Sequence, residues 1–431
     1  MRYYSLNKQA PEVSFQEAVV KGLAPDRGLY FPKEISPLPQ SFFDTIESLD
    51  NASIAFEVIK QFVGDEIPEQ DLKLIVKEVL SFDFPVNPIE ENISVLELYH
   101  GPTMAFKDVG ARFMARCLGY FNKDKVEEQV TVLVATSGDT GGAVASGFLG
   151  VEGVDVVILY PSGKVSDIQE KQLTTLGQNI VALEVDGTFD DCQDMVKTAF
   201  LDDGFKGKCS LTSANSINIA RWLPQMFYFF FAYKALKSNG KKLVFSVPSG
   251  NYGNICAGMM AQKLGLPVHH FVTGTNANNI VPQYLKTGTY DMKPSVPTIS
   301  NAMDVGDPSN FIRIQELHDN DISKLRENLS GFSYSDEETT NAIHQLYDSL
   351  NYVADPHGAI GYLALKAYLQ NESDVHGVFL ETAHPIKFLP VMPKAIADHI
   401  PMPPQIEAIL HKQKQSIHIS NYEQLKSYLL S

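Results

Sequence analysis

The chain has 431 residues, 44% of them hydrophobic and 20% charged, enough globular material for two or three domains with substantial cores. Its formal net charge of −16 argues against nucleic acid or an anionic membrane as partner, since both need clustered Lys and Arg. Four scattered cysteines, Cys117, Cys192, Cys209 and Cys256, form no CxxC pair and no metal-ligand spacing, and read as reduced thiols of a cytoplasmic protein without a metal.

The opening stretch, MRYYSLNKQAPEVSF, has no apolar signal core. Residues 1–95 carry helical patterns, prolines and acidic residues but no glycine loop between strand and helix, which predicts an N-terminal helical region. HGPTMAFKDVG (100–110) comes next. After Phe106 the apolar positions Val109, Phe113, Met114, Cys117, Leu118 and Phe121 make a helical stripe, so Lys107 falls in the first turn. The helix dipole disfavours a cation there, and Asp108 already supplies the usual acidic residue. A lysine kept among apolar groups loses part of the stability of its charged form and becomes a better nucleophile toward a carbonyl. The plain alternative is a surface lysine at a helix start.

From residue 131 short β-branched runs alternate with helical patterns. TVLVA (131–135) is a strand followed by the loop TSGDTGG (136–142), and the strand at 156–160 leads to a helix opened by Ser166, with Gln169 in capping-box position and Gly177 as its stop. The region near 205–240 reads as one long helix crossing between two α/β units, and MFYFFFAY (226–233) is too short to span a bilayer. PSGNYGN (248–254) and ETAHP (381–385) follow later strands. Continuous apolar strands between helices predict two doubly wound parallel-sheet domains, over 96–225 and 226–390, with a helical appendage over 391–431. Ligands of such sheets sit at the carboxyl ends of the strands.

Three of those loops fit anions. Gly250 and Gly253 bare the backbone before a helix near Asn254, a phosphate cradle needing no net charge or else a tight turn with glycines for geometry alone. Thr136, Ser137 and Thr140 surround Gly138 at a helix start, which suits a carboxylate or second phosphate, or is a helix capped by Asp139. In SANSINIARWLPQ (213–225) a helix begun near 216 would put Asn218 and Arg221 on one face beside Ser216, as an anion clamp or as an arginine snorkelling from an apolar helix.

A nucleophilic amine, a phosphate cradle and a carboxylate loop together describe a site for pyridoxal phosphate. With GLAPDRGLYFP (22–32), HGPTMAFKDVG, ATSGDTGGAV, ILYPSGKVSDIQEKQL, NSINIARWLPQ, VPSGNYGN, NAMDVGDPSN and ETAHPIKF in this order, the chain resembles the threonine synthase family. The resemblance is to the subgroup of many bacteria and fungi, among fold-type II pyridoxal phosphate enzymes. It implies that Lys107 bonds the cofactor's aldehyde, that Gly250, Asn251, Tyr252, Gly253 and Asn254 hold its phosphate, and that Asp139 and Thr382 face its ring hydroxyl and ring nitrogen. It further implies that Ser137 and Thr140 take the substrate carboxylate, and that Arg221, Asn215, Ser216 and Asn218 take the substrate phosphate. The implied reaction turns O-phospho-L-homoserine and water into L-threonine and phosphate, in a monomer or homodimer.

Tyr252, Asn254 and Ile386 replace the Phe, Asp and Ala common in close relatives without removing a needed group. His100, His357 and His384 are expected to make structural hydrogen bonds at loops, Lys387 fits either a phosphate or a loop, and NAMDVGDPSN has no role that its residues reveal. The competing readings are a serine/threonine dehydratase, which needs no second phosphate site, and a non-catalytic phospho-ligand sensor, which would not need Lys107.

Overall fold

The computed structural model describes residues 1–123 and 130–431. The chain divides into two units, each assembled from separate stretches of sequence. The first comprises Met1, Pro32–Phe106 and Trp222–Pro401, and the second Arg2–Phe31, Lys107–Arg221 and Met402–Ser431.

The first unit is built on six strands in the order Leu329–Ser333, Val268–Thr275, Lys242–Pro248, Val375–Glu381, Ile93–Glu97 and Val86–Glu90. Every neighbouring pair is parallel except the last, where Val86–Glu90 runs antiparallel to Ile93–Glu97. Ile93–Glu97 and Val375–Glu381 are buried at every position, as strands covered on both faces must be. The second unit carries five strands in the order Ile417–Ile419, Ile180–Val185, Val154–Pro161, Val130–Ala135 and Ser210–Ser213, all parallel. Both sheets follow the doubly wound parallel plan expected from the strand–loop–helix alternation.

Three expectations are corrected here. Residues 1–95 are not a helical region alone: Ile93–Glu97 lies inside the first sheet, and Tyr3–Ser5 pairs with Tyr30–Pro32. The expected consecutive segments cut across the observed units, because parallel strands find partners far away in sequence; Ile93 lies opposite Gly377. The supposed long helix over 205–240 is a strand, Ser210–Ser213, then a short helix, Ile219–Trp222, and then the helix Phe227–Leu236. Pro224, which has no N–H to donate, sits in the 3-10 turn Leu223–Met226 between the last two. The chain does pass from one unit to the other in this region, between Arg221 and Trp222.

The aromatic run fills Phe227–Leu236, where Phe227, Tyr228, Phe229, Phe230 and Phe231 are all buried. Phe229 meets Phe245 of the first sheet edge-on, with ring centroids 5.1 Å apart. Burying each such side chain stabilises the fold by about 1.5–3 kcal/mol. Among the described residues no helix is long and apolar enough to cross a membrane.

Candidate active site

In the first unit, strand Lys242–Pro248 ends in the glycine loop, and helix Gly253–Lys263 begins just beyond it. Tyr252 turns the corner in the left-handed region, φ 61° and ψ 12°, and directs the chain into the helix. Its ring is buried and its hydroxyl accepts a hydrogen bond from Thr273 Oγ1 at 3.1 Å, so the extra oxygen relative to phenylalanine is satisfied. The asparagine side chains turn inward. Asn254 Nδ2 donates to Pro248 O at 2.8 Å and its Oδ1 accepts from the Ile255 N–H at 2.9 Å, while Asn251 Oδ1 accepts from the Ser309 N–H at 2.6 Å. These contacts shape the loop. The donors left by construction are backbone N–H groups of the first helical turn, which have no acceptor inside the helix and lie at the positive end of its dipole.

The segment NAMDVGDPSN acquires a physical role. A Cβ at position 250 would lie 2.6 Å from Ala302 O and 2.8 Å from Met303 Cα, so this turn lies directly against Gly250 and only glycine fits. Asp304 fixes the turn: its Oδ1 accepts from Thr298 Oγ1 at 2.7 Å and from Asn276 Nδ2 at 2.9 Å. Burial pushes the Asp304 carboxyl up to about 6.

The carboxyl end of Val375–Glu381 holds the turn before Lys107. The Phe106 N–H donates to Thr382 O at 2.9 Å, Ala105 bridges Ala383, the His384 N–H donates to Met104 O at 3.1 Å, and Lys387 Nζ donates to Thr103 O at 2.8 Å. These three hydrogen bonds, two of them forming the Ala105–Ala383 bridge, keep Met104 at φ 56°, a left-handed conformation costing a side chain on the order of 1 kcal/mol. Lys387 is buried and serves this turn. Thr382 is buried with its carbonyl committed to Phe106.

Each of the three histidines makes a hydrogen bond. His100 Nε2 lies 2.8 Å from Glu97 Oε2, and His384 Nδ1 accepts from the Ile386 N–H at 3.1 Å. Burial, with His100 and Lys387 nearby, holds His384 down at about 4, a neutral ring. His357 Nδ1 donates to Asp355 Oδ1 at 2.6 Å. Asp355 caps helix Pro356–Leu369, a role DPHG signals by its Asp-Pro start. Beside it lies Glu381, whose Oε1 accepts from the Asp355 N–H at 2.5 Å. Desolvation and the adjacent Asp355 carboxylate push the Glu381 carboxyl far above the usual range.

In the second unit Lys107 is the first residue of helix Lys107–Asn122 and is half-buried. The helix lies hard against Arg221: a Cβ at Gly110 would be 2.4 Å from Arg221 O and 3.3 Å from its Nε. The arginine is buried and its Nη1 donates to Ala214 O. Burial lowers it to about 10, opposed by the Asp108 carboxylate. Asp108 is itself buried, so beyond complementing the helix dipole it faces the guanidinium. Arg221, from helix Ile219–Trp222, thus lies against Gly110, three residues along the helix from Lys107.

The helix holding Arg221 does not start at 216, so the same-face argument for Asn218 fails. Asn218 is fully buried before helix Ile219–Trp222; its amide donates to Val19 O at 2.8 Å and Ser213 O at 3.2 Å, and its Oδ1 accepts from the Ala220 N–H at 3.0 Å. It holds the turn that carries Asn215 and Ser216, both half-buried. Asn215 Oδ1 is buried with no hydrogen-bond partner among the described residues.

Strand Val130–Ala135 leads into helix Asp139–Phe148, whose N-cap position is Gly138, and the hydroxyl that meets the helix start is that of Thr136 rather than the Asp139 carboxylate. Thr136 Oγ1 accepts from the N–H groups of Gly138 at 2.9 Å and Gly141 at 2.8 Å. Asp139 Oδ1 instead accepts from Gln169 Nε2 at 2.8 Å. Gly138 at φ 140° leaves space for that glutamine, since a Cβ there would lie 2.5 Å from its Cδ. Sequence reasoning saw Gln169 only as a capping residue. Ser137 and Thr140 are half-buried at the start of the helix.

Three family models cover nearly the whole chain: threonine synthase N terminus over residues 2–80, pyridoxal-phosphate dependent enzyme over 87–379, and threonine synthase, C-terminal, over 358–429. A threonine synthase of Buchnera aphidicola subsp. Baizongia pistaciae is 43% identical over 434 residues, spanning 100% of both chains. The crystal structure of threonine synthase from Escherichia coli matches with a TM-score of 0.92 at 41% identity, over 100% of this chain and 99% of that one. A pyridoxal-phosphate-bound threonine synthase from Brucella melitensis matches with a TM-score of 0.93 at 34% identity, over 100% and 99%.

Proposed function

The chain belongs to the threonine synthase family, and from that premise we propose how its own residues divide the work. The activity is the pyridoxal-phosphate-dependent conversion of O-phospho-L-homoserine and water to L-threonine and phosphate, the last step of threonine biosynthesis.

The donor set suits the cofactor. First-turn N–H groups of Gly253–Lys263 suit a phosphate, and the Lys107 amine suits an aldehyde. When bound, pyridoxal phosphate supplies an electron sink that makes negative charge beside the substrate's amine affordable. Asp139, oriented by Gln169, would hold the ring hydroxyl, and Thr382 would face the ring nitrogen. A hydroxyl does not hold that nitrogen protonated as a carboxylate would, which favours elimination and replacement over transamination.

Ser137, Thr140 and the first-turn N–H groups of Asp139–Phe148 hold the substrate carboxylate. Arg221, with Asn215 and Ser216, binds the substrate phosphate and stabilises its departure from Cγ. Asn218 acts behind them by fixing their turn. Lys107 moves protons at Cα, Cβ and Cγ, as base and then as acid, and the phosphate retained by Arg221 assists water at Cβ. The free cysteines, three of them buried, suit a reducing compartment, and we place the enzyme in the cytoplasm.

The observation that carries this reading is the packing of Arg221 on Gly110, one helical turn from Lys107, which supports a phosphate site beside the reactive amine. Purified protein is expected to be yellow and to release phosphate and threonine from phosphohomoserine in equal amounts. Lys107→Ala should be colourless after dialysis and inactive. Phosphate accompanied by a 2-oxo acid in place of threonine would move the assignment to a dehydratase.

A further inference from the structure

We propose that His357, oriented by the buried Asp355–Glu381 pair, positions the cofactor's phosphate by holding the turn Asn301–Met303 against Gly250. This rests on the assignment of the phosphate to the loop 250–254 made above.

The argument starts from the tautomer. Asp355 Oδ1 accepts from the His357 backbone N–H at 2.5 Å and from its Nδ1 at 2.6 Å, so the proton of the neutral ring is on Nδ1. Nε2 is left as an acceptor, and it receives the Ala302 N–H at 3.2 Å. The ring cannot swing away, because it is buried and lies against Phe388 with centroids 4.9 Å apart. Ala302 and Met303 are the atoms that a Cβ on Gly250 would strike. One imidazole lone pair therefore fixes the turn on which the phosphate loop rests.

Asp355 is fixed in its turn. Its Oδ2 accepts from the Ala383 N–H at 3.3 Å, and its own N–H donates to Glu381 Oε1. Gly358 leaves room for the second oxygen of Glu381, since a Cβ there would lie 1.7 Å from it. It is Asp355 Oδ1, held in this way, that orients His357 through the backbone N–H and Nδ1. His357 does not touch the cofactor in this scheme; it is a positioning residue, and Thr382–Ala383 and the phosphate loop are tied to the same group.

The test compares binding of pyridoxal 5′-phosphate and of pyridoxal, which lacks the phosphate, to the full-length apoprotein, followed by absorbance. The chain itself should prefer the phosphorylated form strongly. His357→Asn keeps a donor for Asp355 but cannot reach Ala302, and should lower that preference by about tenfold, the effect of one lost hydrogen bond, with pyridoxal affinity unchanged. His357→Gln, whose Oε1 can replace Nε2 as acceptor, should restore it to within about threefold. Glu381→Gln, a neutral isostere, should leave the preference intact. Equal losses for both ligands in His357→Asn, or no loss in either, would overturn the inference. Should that variant fail to fold, Ala302→Pro deletes the donated N–H at a helix-start position that tolerates proline, and an undiminished preference there overturns it equally. An unmutated chain with no preference for the phosphorylated form would instead defeat the assignment of the phosphate loop itself.

Discussion

Gly110→Ala perturbs the contact on which the functional reading depends. The added methyl would lie 2.4 Å from Arg221 O, whereas ordinary contact begins at 3.4 Å, so the arginine's backbone has to retreat by about 1 Å. The struck atom is a main-chain carbonyl, which no rotamer change can remove. Two terms set the stability. Alanine improves helix preference by about 1 kcal/mol over glycine, and overpacking costs about 1–3 kcal/mol. The net loss is thus at most about 2 kcal/mol, a Tm decrease of only a few degrees in a chain of this size. Function should suffer more, because a misplacement of about 1 Å in a binding group can cost about 100-fold. The expected result is a fall in kcat/KM of that order, carried mostly by KM for phosphohomoserine. Cofactor absorbance should be unchanged, since the turn before Lys107 is tied independently to residues 382–387. Thermal melts, visible spectra and steady-state kinetics on one preparation decide it. A variant that melts several degrees lower yet keeps the KM of the unmutated chain would refute the idea that the position of Arg221 governs substrate binding.

Removing the guanidinium in Arg221→Ala takes away the cation facing buried Asp108 and should destabilise the fold by about 3–5 kcal/mol. Adding Asp108→Asn should recover most of the melting temperature but none of the turnover, which separates folding from function. His384, held near 4 by burial, is neutral in the folded chain while the unfolded chain takes up a proton below about 6.5. Its contribution to stability is therefore complete above 6.5 and shrinks as the pH drops toward 4, by about 3 kcal/mol at most. His384→Asn, which keeps an acceptor for Ile386, should flatten the melting curve against pH in that window. Tyr252→Phe should lose about 0.5–1.5 kcal/mol through the broken bond to Thr273 and leave cofactor affinity unaltered.

What could be read from the residues alone was whatever local pattern determines. The strands that open the glycine loops were legible because an apolar run followed by a glycine turn and a helix stripe is a signal within about 20 residues. Ile93–Glu97 was missed because its place in the sheet is set by Val375–Glu381, far along the chain. The same-face argument for Asn218 failed since spacing of three implies one face only inside a helix, and the residue precedes the helix. Gln169 gave a true signal, as Ser166 does cap its N–H at 3.4 Å, but nothing local reveals that its amide is bonded to Asp139. Gly110 and the turn 301–303 have the same lesson. A glycine marks a close approach, but the sequence does not say what approaches.

The late origin of the ties around Met104 has a consequence for biosynthesis. A polypeptide emerging from the ribosome displays Lys107 when less than a third of the product exists, whereas Thr382, His384 and Lys387 come near the end. Until then the bend ahead of that amine lacks its hydrogen bonds to residues 382–387. Products that stop before residue 382 therefore carry the reactive side chain without the brace on its turn.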